Sequence, residues 1–152
     1  MSKVEAKLKE LGITLPETPK PVAAYVPAMQ SGDLVYTSGQ LCTTNGVLCK
    51  GKLGKDLSVE EGYAAARASA INCLAVLKSV VGDLDRVEQI VKVVGFVNSD
   101  PSFTDQPKVV NGASELMQAV FGDAGCHARS AVGVSGLPLG AACEVEIIAR
   151  VK

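Results

Sequence analysis

The sequence has no tryptophan, three phenylalanines, three tyrosines and a single histidine, His127, in 152 residues. Bases would find almost nothing to stack on, and 15 Lys and Arg against 16 Asp and Glu generate no basic field. Nucleic-acid binding is therefore not expected. The five cysteines (Cys42, Cys49, Cys73, Cys126, Cys143) form no CxxC pair, and one histidine leaves a Cys/His metal cluster short of ligands. No metal is expected, and the cysteines read as reduced thiols of a cytoplasmic protein. No uninterrupted apolar run approaches about 18 residues, and the N-terminus alternates charges without a signal-length apolar core. Neither a membrane span nor a secretory leader is expected.

What the chain does have is an apolar content of 47% and a mean hydropathy of +0.24. Its length suffices for one core without disulfide staples, and so apolar a composition suggests further burial between subunits, as a dimer or trimer.

Apolar residues at Val4, Leu8 and Leu11, set among Lys and Glu and followed by Gly12, predict a short amphipathic helix. Prolines at 16, 19 and 21 then enforce an extended linker. This divides the chain into residues 1–21, helix and linker, and a domain over residues 22–152. Within it, Val22 to Met29 and Asp33 to Ser38 read as strands about a turn, and residues 43–55 as a loop or irregular hairpin. Ser58 with Glu61 forms a capping box for a helix ending at Gly82. Residues 86–98 predict a central strand, and 103–121 a second helix. The order predicts an α+β domain: a mixed sheet with two helices on one face.

The last quarter carries the densest chemistry. Residues 127–134 and 142–149 alternate as two strands, read as a hairpin joined through Leu137-Pro138-Leu139-Gly140. Arg129, Ala131, Gly133 and Ser135 share one face of their strand, and Glu144 and Glu146 share one face of theirs. An arginine over alanine and glycine fronts a hollow, and its planar fork suits a small carboxylate. The alternative is a structural arginine pairing with Glu144 or Glu146 across the hairpin. Cys126 beside His127 could suggest a nucleophile and base, but neighbours on a strand point to opposite faces.

Tyr36-Thr37-Ser38-Gly39-Gln40, followed by Ala128-Arg129-Ser130, Leu137-Pro138 and Glu144-Val145-Glu146, resembles the RidA (YjgF/YER057c/UK114) family, also called L-PSP endoribonuclease. The resemblance spans about Val22 to Val151. It implies a chorismate-mutase-like α+β fold and a homotrimer with sites between subunits. It further implies hydrolysis of reactive 2-imino (enamine) acids to 2-keto acids and ammonia, with no cofactor. Arg129 falls on the family's carboxylate-binding arginine; Tyr25, Gly39, Asn111 and Glu144 fall on pocket positions, with Ser38 beside Gly39. Three departures mark a longer branch with an extra N-terminal helix. Ala131 stands where active members often have cysteine, His127 replaces the usual proline, and Ala23-Ala24-Tyr25 replaces Gly-Pro-Tyr.

Hydrolysis of an imino acid needs a fixed cation, a held water and a proton route. Arg129 supplies the cation. Glu144, ahead of Glu146, is the candidate to orient or deprotonate water, against a role in balancing Arg129 and Arg150. Tyr25 could close the pocket or fill an interface, Ser38 and Gly39 could let backbone approach the substrate, and Asn111 could fix the imine or merely bend its helix. Two other functions stay open: a small-carboxylate-binding regulator without turnover, which Ala131 favours, and the ribonuclease of the older label.

Overall fold

The structure, a computed structural model, describes residues 2–18 and 24–152. The expected linker prolines 19 and 21 and strand start at Val22 lie outside the described residues. Helix α1 spans Lys3–Glu10, and strands β1 (Ala28–Ser31), β2 (Leu34–Thr37), β3 (Gln40–Leu41), β4 (Thr43–Thr44) and β5 (Val47–Leu48) precede helix α2 (Val59–Val81). Strand β6 (Val87–Asn98), helix α3 (Gln106–Phe121), β7 (Ala128–Val134) and β8 (Cys143–Val151) follow. The first strand is shorter than expected, because residues 24–27 are not in strand.

Local chemistry accounts for most boundaries. Ser58 and Glu61 form both bonds of the capping box at the start of α2, and the Gly82 N–H closes its last turn onto the Lys78 carbonyl. Asn45 and Gly46, both at positive φ, turn β4 into β5 and make residues 43–48 a small hairpin. At the N-terminus, Asp85 accepts from the Lys3 and Val4 N–H groups, at 2.9 and 2.8 Å, while Val4 and Leu8 are buried. Those backbone donors, Val4 first, hold the Asp85 carboxyl below its usual range. By length and composition α2 could cross a membrane; here it is a core helix, with Ala66, Ala70, Cys73, Leu74 and Leu77 buried.

The main sheet runs β1-β2-β8-β6-β7, with β3 also paired to β8. Among the described strands only β6 and β7 pair in parallel, and α3 supplies the long crossover that parallel pairing requires. The predicted terminal hairpin does not form. β6 lies between β7 and β8, so residues 135–142 cross the end of β6 instead of turning back on themselves. Lys52 Nζ donates to Asn98 Oδ1 (2.8 Å) and to the Ser135 carbonyl, and Asn98 Nδ2 donates to the Ala141 carbonyl (3.1 Å). These bonds pin the crossing segment.

Helices α2 and α3 cover one sheet face. Val93 and Val97 of β6 and Val145, Ile147 and Ala149 of β8 are buried beneath them. The alternate residues, including Val94, Phe96, Glu144, Glu146 and Ile148, lie half-buried on the other face. α3 is held by two close approaches. A methyl at Gly112 would collide with the Tyr63 carbonyl of α2, and one at Gly95 with Val110. Gly112→Ala is expected to lose about 2 kcal/mol or more of stability in urea unfolding, because backbone must move. Gly136→Ala, whose added methyl meets nothing within 4 Å, should change it by less than about 0.5 kcal/mol.

Candidate functional site

Arg129 lies on edge strand β7, paired in register with Val93, and therefore points to the helix side of the sheet. There its Nη1 donates to Asn111 Oδ1 at 2.8 Å and to Ser114 Oγ at 3.2 Å. Asn111 and Ser114 stand one turn apart on α3 and so present side chains to the same point. Among the described residues nothing bonds Arg129 Nε or Nη2, and no carboxylate pairs with it. The result is a half-buried guanidinium held by one nitrogen, its Nε/Nη2 edge available for a bidentate anion. Asn111 orients this arginine; the structural pairing of Arg129 with Glu144 or Glu146 does not occur.

Ala131 and Gly133 continue the same face. Ala131 pairs with Gly95 and packs against the core, while Gly133 leaves room for Ser99 and Gln106. Residues Asn111, Ser114 and Gln106 of α3 thus close one side of the hollow read from the sequence in front of Arg129.

Glu144 is on the opposite face. Its carboxylate lies over Gly39, where any Cβ would collide with Oε1, so the glycine there makes room for the glutamate. Burial, and then the neighbouring charge of Glu146, pushes the Glu144 carboxyl above its usual range. Among the described residues neither glutamate has an ion partner. Ser38 donates its hydroxyl to the Val26 carbonyl at 2.7 Å, bracing the backbone before Gly39. Tyr25 is 66% exposed and fills no core position in this chain.

The predicted residues thus fall into two groups. Arg129, Asn111 and Ala131 gather between β7 and α3; Tyr25, Ser38, Gly39 and Glu144 gather near β3 and the start of β8. A cavity of about 860 Å³ runs beside the second group, between residues 12–18, residues 38–46 and α2. Tyr25, Ser38 and Gly39 line it, as does Arg67, which the sequence reading did not single out.

Ser114 was also missed. Its signal is a polar residue three positions after Asn111 on a helix whose other inward residues are apolar. Cys126 is exposed and accepts from Gln118 Nε2 at 3.6 Å, while the His127 ring turns to Ser114. They form no nucleophile and base pair.

Comparison with known proteins accords with this architecture. The chain is 48% identical to protein TCP17 of Trypanosoma cruzi over 99% of its length and 95% of that protein. It is 30% identical to a 2-iminobutanoate/2-iminopropanoate deaminase of Dermatophagoides farinae, over 92% of the chain and 95% of the relative. The crystal structure of Atu1372 from Agrobacterium tumefaciens, a protein of unknown function, superposes with a TM-score of 0.93 at 42% identity, covering 99% of this chain and 93% of that one. Residues 5–151 match the family described as "YjgF/chorismate mutase-like, putative endoribonuclease", and with its mixed sheet and one-sided helices the chain belongs to that family and has its chorismate-mutase-like fold.

Proposed function

We propose that the protein is an enamine/imine deaminase, a hydrolase converting 2-imino acids to 2-keto acids and ammonia. The observation that carries this is the Arg129 guanidinium, fixed through Nη1 by Asn111 and Ser114 with its Nε/Nη2 edge open. A bidentate carboxylate on that edge sets the plane of the adjoining C=N bond, and so the face that water attacks. The name of the mite relative supports the same chemistry.

Glu144 suits the second role. Its carboxylate, with proton affinity raised, takes a proton from water as the water adds to the protonated imine's carbon and returns it to the nitrogen. As ammonia leaves, the carboxylate takes the carbinol hydroxyl proton and the C=O bond forms. Within one chain Glu144 and Arg129 face opposite sides of the sheet, so we propose that the site is completed between copies of this chain, as in the homotrimer that the resemblance implies. Exposed Met29 and Tyr36, paired across β1 and β2, and Val132 on β7 supply apolar surface for such contacts. Ala131 favours a second reading, a carboxylate-binding regulator without turnover, because no thiol stands beside the anchor. RNA cleavage draws no support from a net charge of −1.

An amino-acid oxidase that generates 2-iminobutyrate, with semicarbazide as trap, separates these readings. Wild type is expected to divert the imine to 2-oxobutyrate, Arg129→Ala to abolish diversion, and Glu144→Gln to slow it by about a hundredfold. Absence of diversion by wild type, with 2-oxobutyrate still bound, would establish the regulator instead.

Glu144 also predicts a trade of stability for function. A carboxyl whose folded pKa is raised adds stability below its unfolded pKa and loses it as pH rises through the folded one. Ionised Glu144 therefore costs stability at neutral pH. Glu144→Gln should melt above wild type there, with the difference shrinking in mild acid; a difference independent of pH would contradict this.

A further inference from the structure

The anchor at Arg129 does not end at Ser114. The Ser114 hydroxyl lies 2.9 Å from His127 Nε2, and His127 Nδ1 lies 2.6 Å from the Gly125 carbonyl. A carbonyl only accepts, so Nδ1 carries a proton and donates it. A guanidinium only donates, so Ser114 Oγ accepts from Arg129 Nη1 and its own hydrogen is free to go to Nε2. Each of these three bonds has one donor and one acceptor when His127 is neutral with its proton on Nδ1. The bonds then run in one direction: Arg129 to Ser114, Ser114 to His127, His127 to Gly125.

We infer that His127 is a positioning residue for the anion site, acting through Ser114. By accepting the serine hydrogen it fixes the hydroxyl rotamer with a lone pair toward Arg129, and it polarises Oγ into a better acceptor for the guanidinium. Without that acceptor the hydroxyl is free to rotate, and the Nη1 bond at 3.2 Å loses its fixed geometry. Gly125 gives the ring its footing: a methyl there would collide with the Met117 carbonyl, so the turn at Gly122–Gly125 packs directly on α3, the helix that bears Ser114. Position 127 thereby sets how firmly the substrate carboxylate is held, and the inference rests on the proposed anion site at Arg129.

The test is calorimetric binding of 2-oxobutyrate to the full chain and its variants, each first checked for a wild-type circular dichroism spectrum. A Gln side chain at 127 reaches Ser114 in place of Nε2, whereas Asn reaches the Gly125 carbonyl in place of Nδ1 but falls short of the serine. His127→Gln is expected to bind within about twofold of wild type, and His127→Asn and Ser114→Ala to bind about tenfold more weakly, the effect of a lost bond to a charged group. Combining Ser114→Ala with His127→Asn should weaken binding no further than Ser114→Ala alone, because His127 acts only through the serine. Additive losses, or Asn binding as tightly as Gln, would overturn the relay while leaving the anchor standing. Arg129→Ala separates the two ideas. If it binds as wild type does, the anion site itself is wrong and the relay falls with it.

Discussion

The distance between α2 and α3 governs the geometry of the site. Gly112 lets the two helices meet with no side chain between them, against the Tyr63 carbonyl, and Gly95 lets Val110 sink onto β6 from the same helix. These contacts fix α3 across the sheet and from its neighbour. Asn111 and Ser114 flank Gly112 on that helix, and both must reach one nitrogen of Arg129. Hydrogen bonds to a charged group are sensitive to a few tenths of an ångström. A glycine contact deep in the core therefore positions a cation near the sheet edge, although it touches nothing that reacts.

The same one-sided packing separates the chemistry. Side chains alternate across a strand, and every position on β6 that faces helices is matched on β7 and β8 by positions with the same orientation. Arg129 therefore shares its side with Ile147, and Glu144 shares the other with Phe96. A cation and an unpaired carboxylate kept apart by a sheet cannot neutralise one another. Each retains what the proposed hydrolysis would use: the arginine an open edge, the glutamate a proton affinity raised by burial and by Glu146. Within the proposed assembly, a substrate bridges groups that would have cancelled had they been neighbours in one chain.

Local rules made the elements legible. Ser58 with Glu61 and Gly82 bounded α2, the strongly apolar run at 86–98 identified the central strand, and the face shared by Arg129, Ala131 and Gly133 is the face observed. Pairing was not legible, because alternation identifies a strand without naming its neighbour. A Pro/Gly turn reads the same whether the chain folds back or crosses a strand. Residues 135–142 are long enough to cross β6, which sets β7 and β8 roughly 10 Å apart. The decisive contacts, Lys52 and Asn98 holding that crossing, join positions far apart in sequence. That error carried the chemistry with it: an adjacent hairpin would have put the strand of Arg129 directly beside the strand of Glu144 and Glu146. Gly39, read as room for substrate, also makes room for the Glu144 carboxylate.

Ala131 can be weighed on these terms. Its side chain lies on the Arg129 side, paired with Gly95 and packed against the core, while the proton-accepting candidate lies across the sheet. A thiol at that position would add volume and polarisability beside the anchor without touching Glu144. Its replacement by a methyl therefore alters the room next to the proposed carboxylate site and leaves Glu144 where it was. On the deaminase reading such a change alters which substrate side chain fits; on the regulator reading it alters which carboxylate is held. His127, immediately before β7, contacts Ser114 and on the inferred relay bears on the anchor rather than the room, so the two departures from the family motif would act on separate properties of one arginine site.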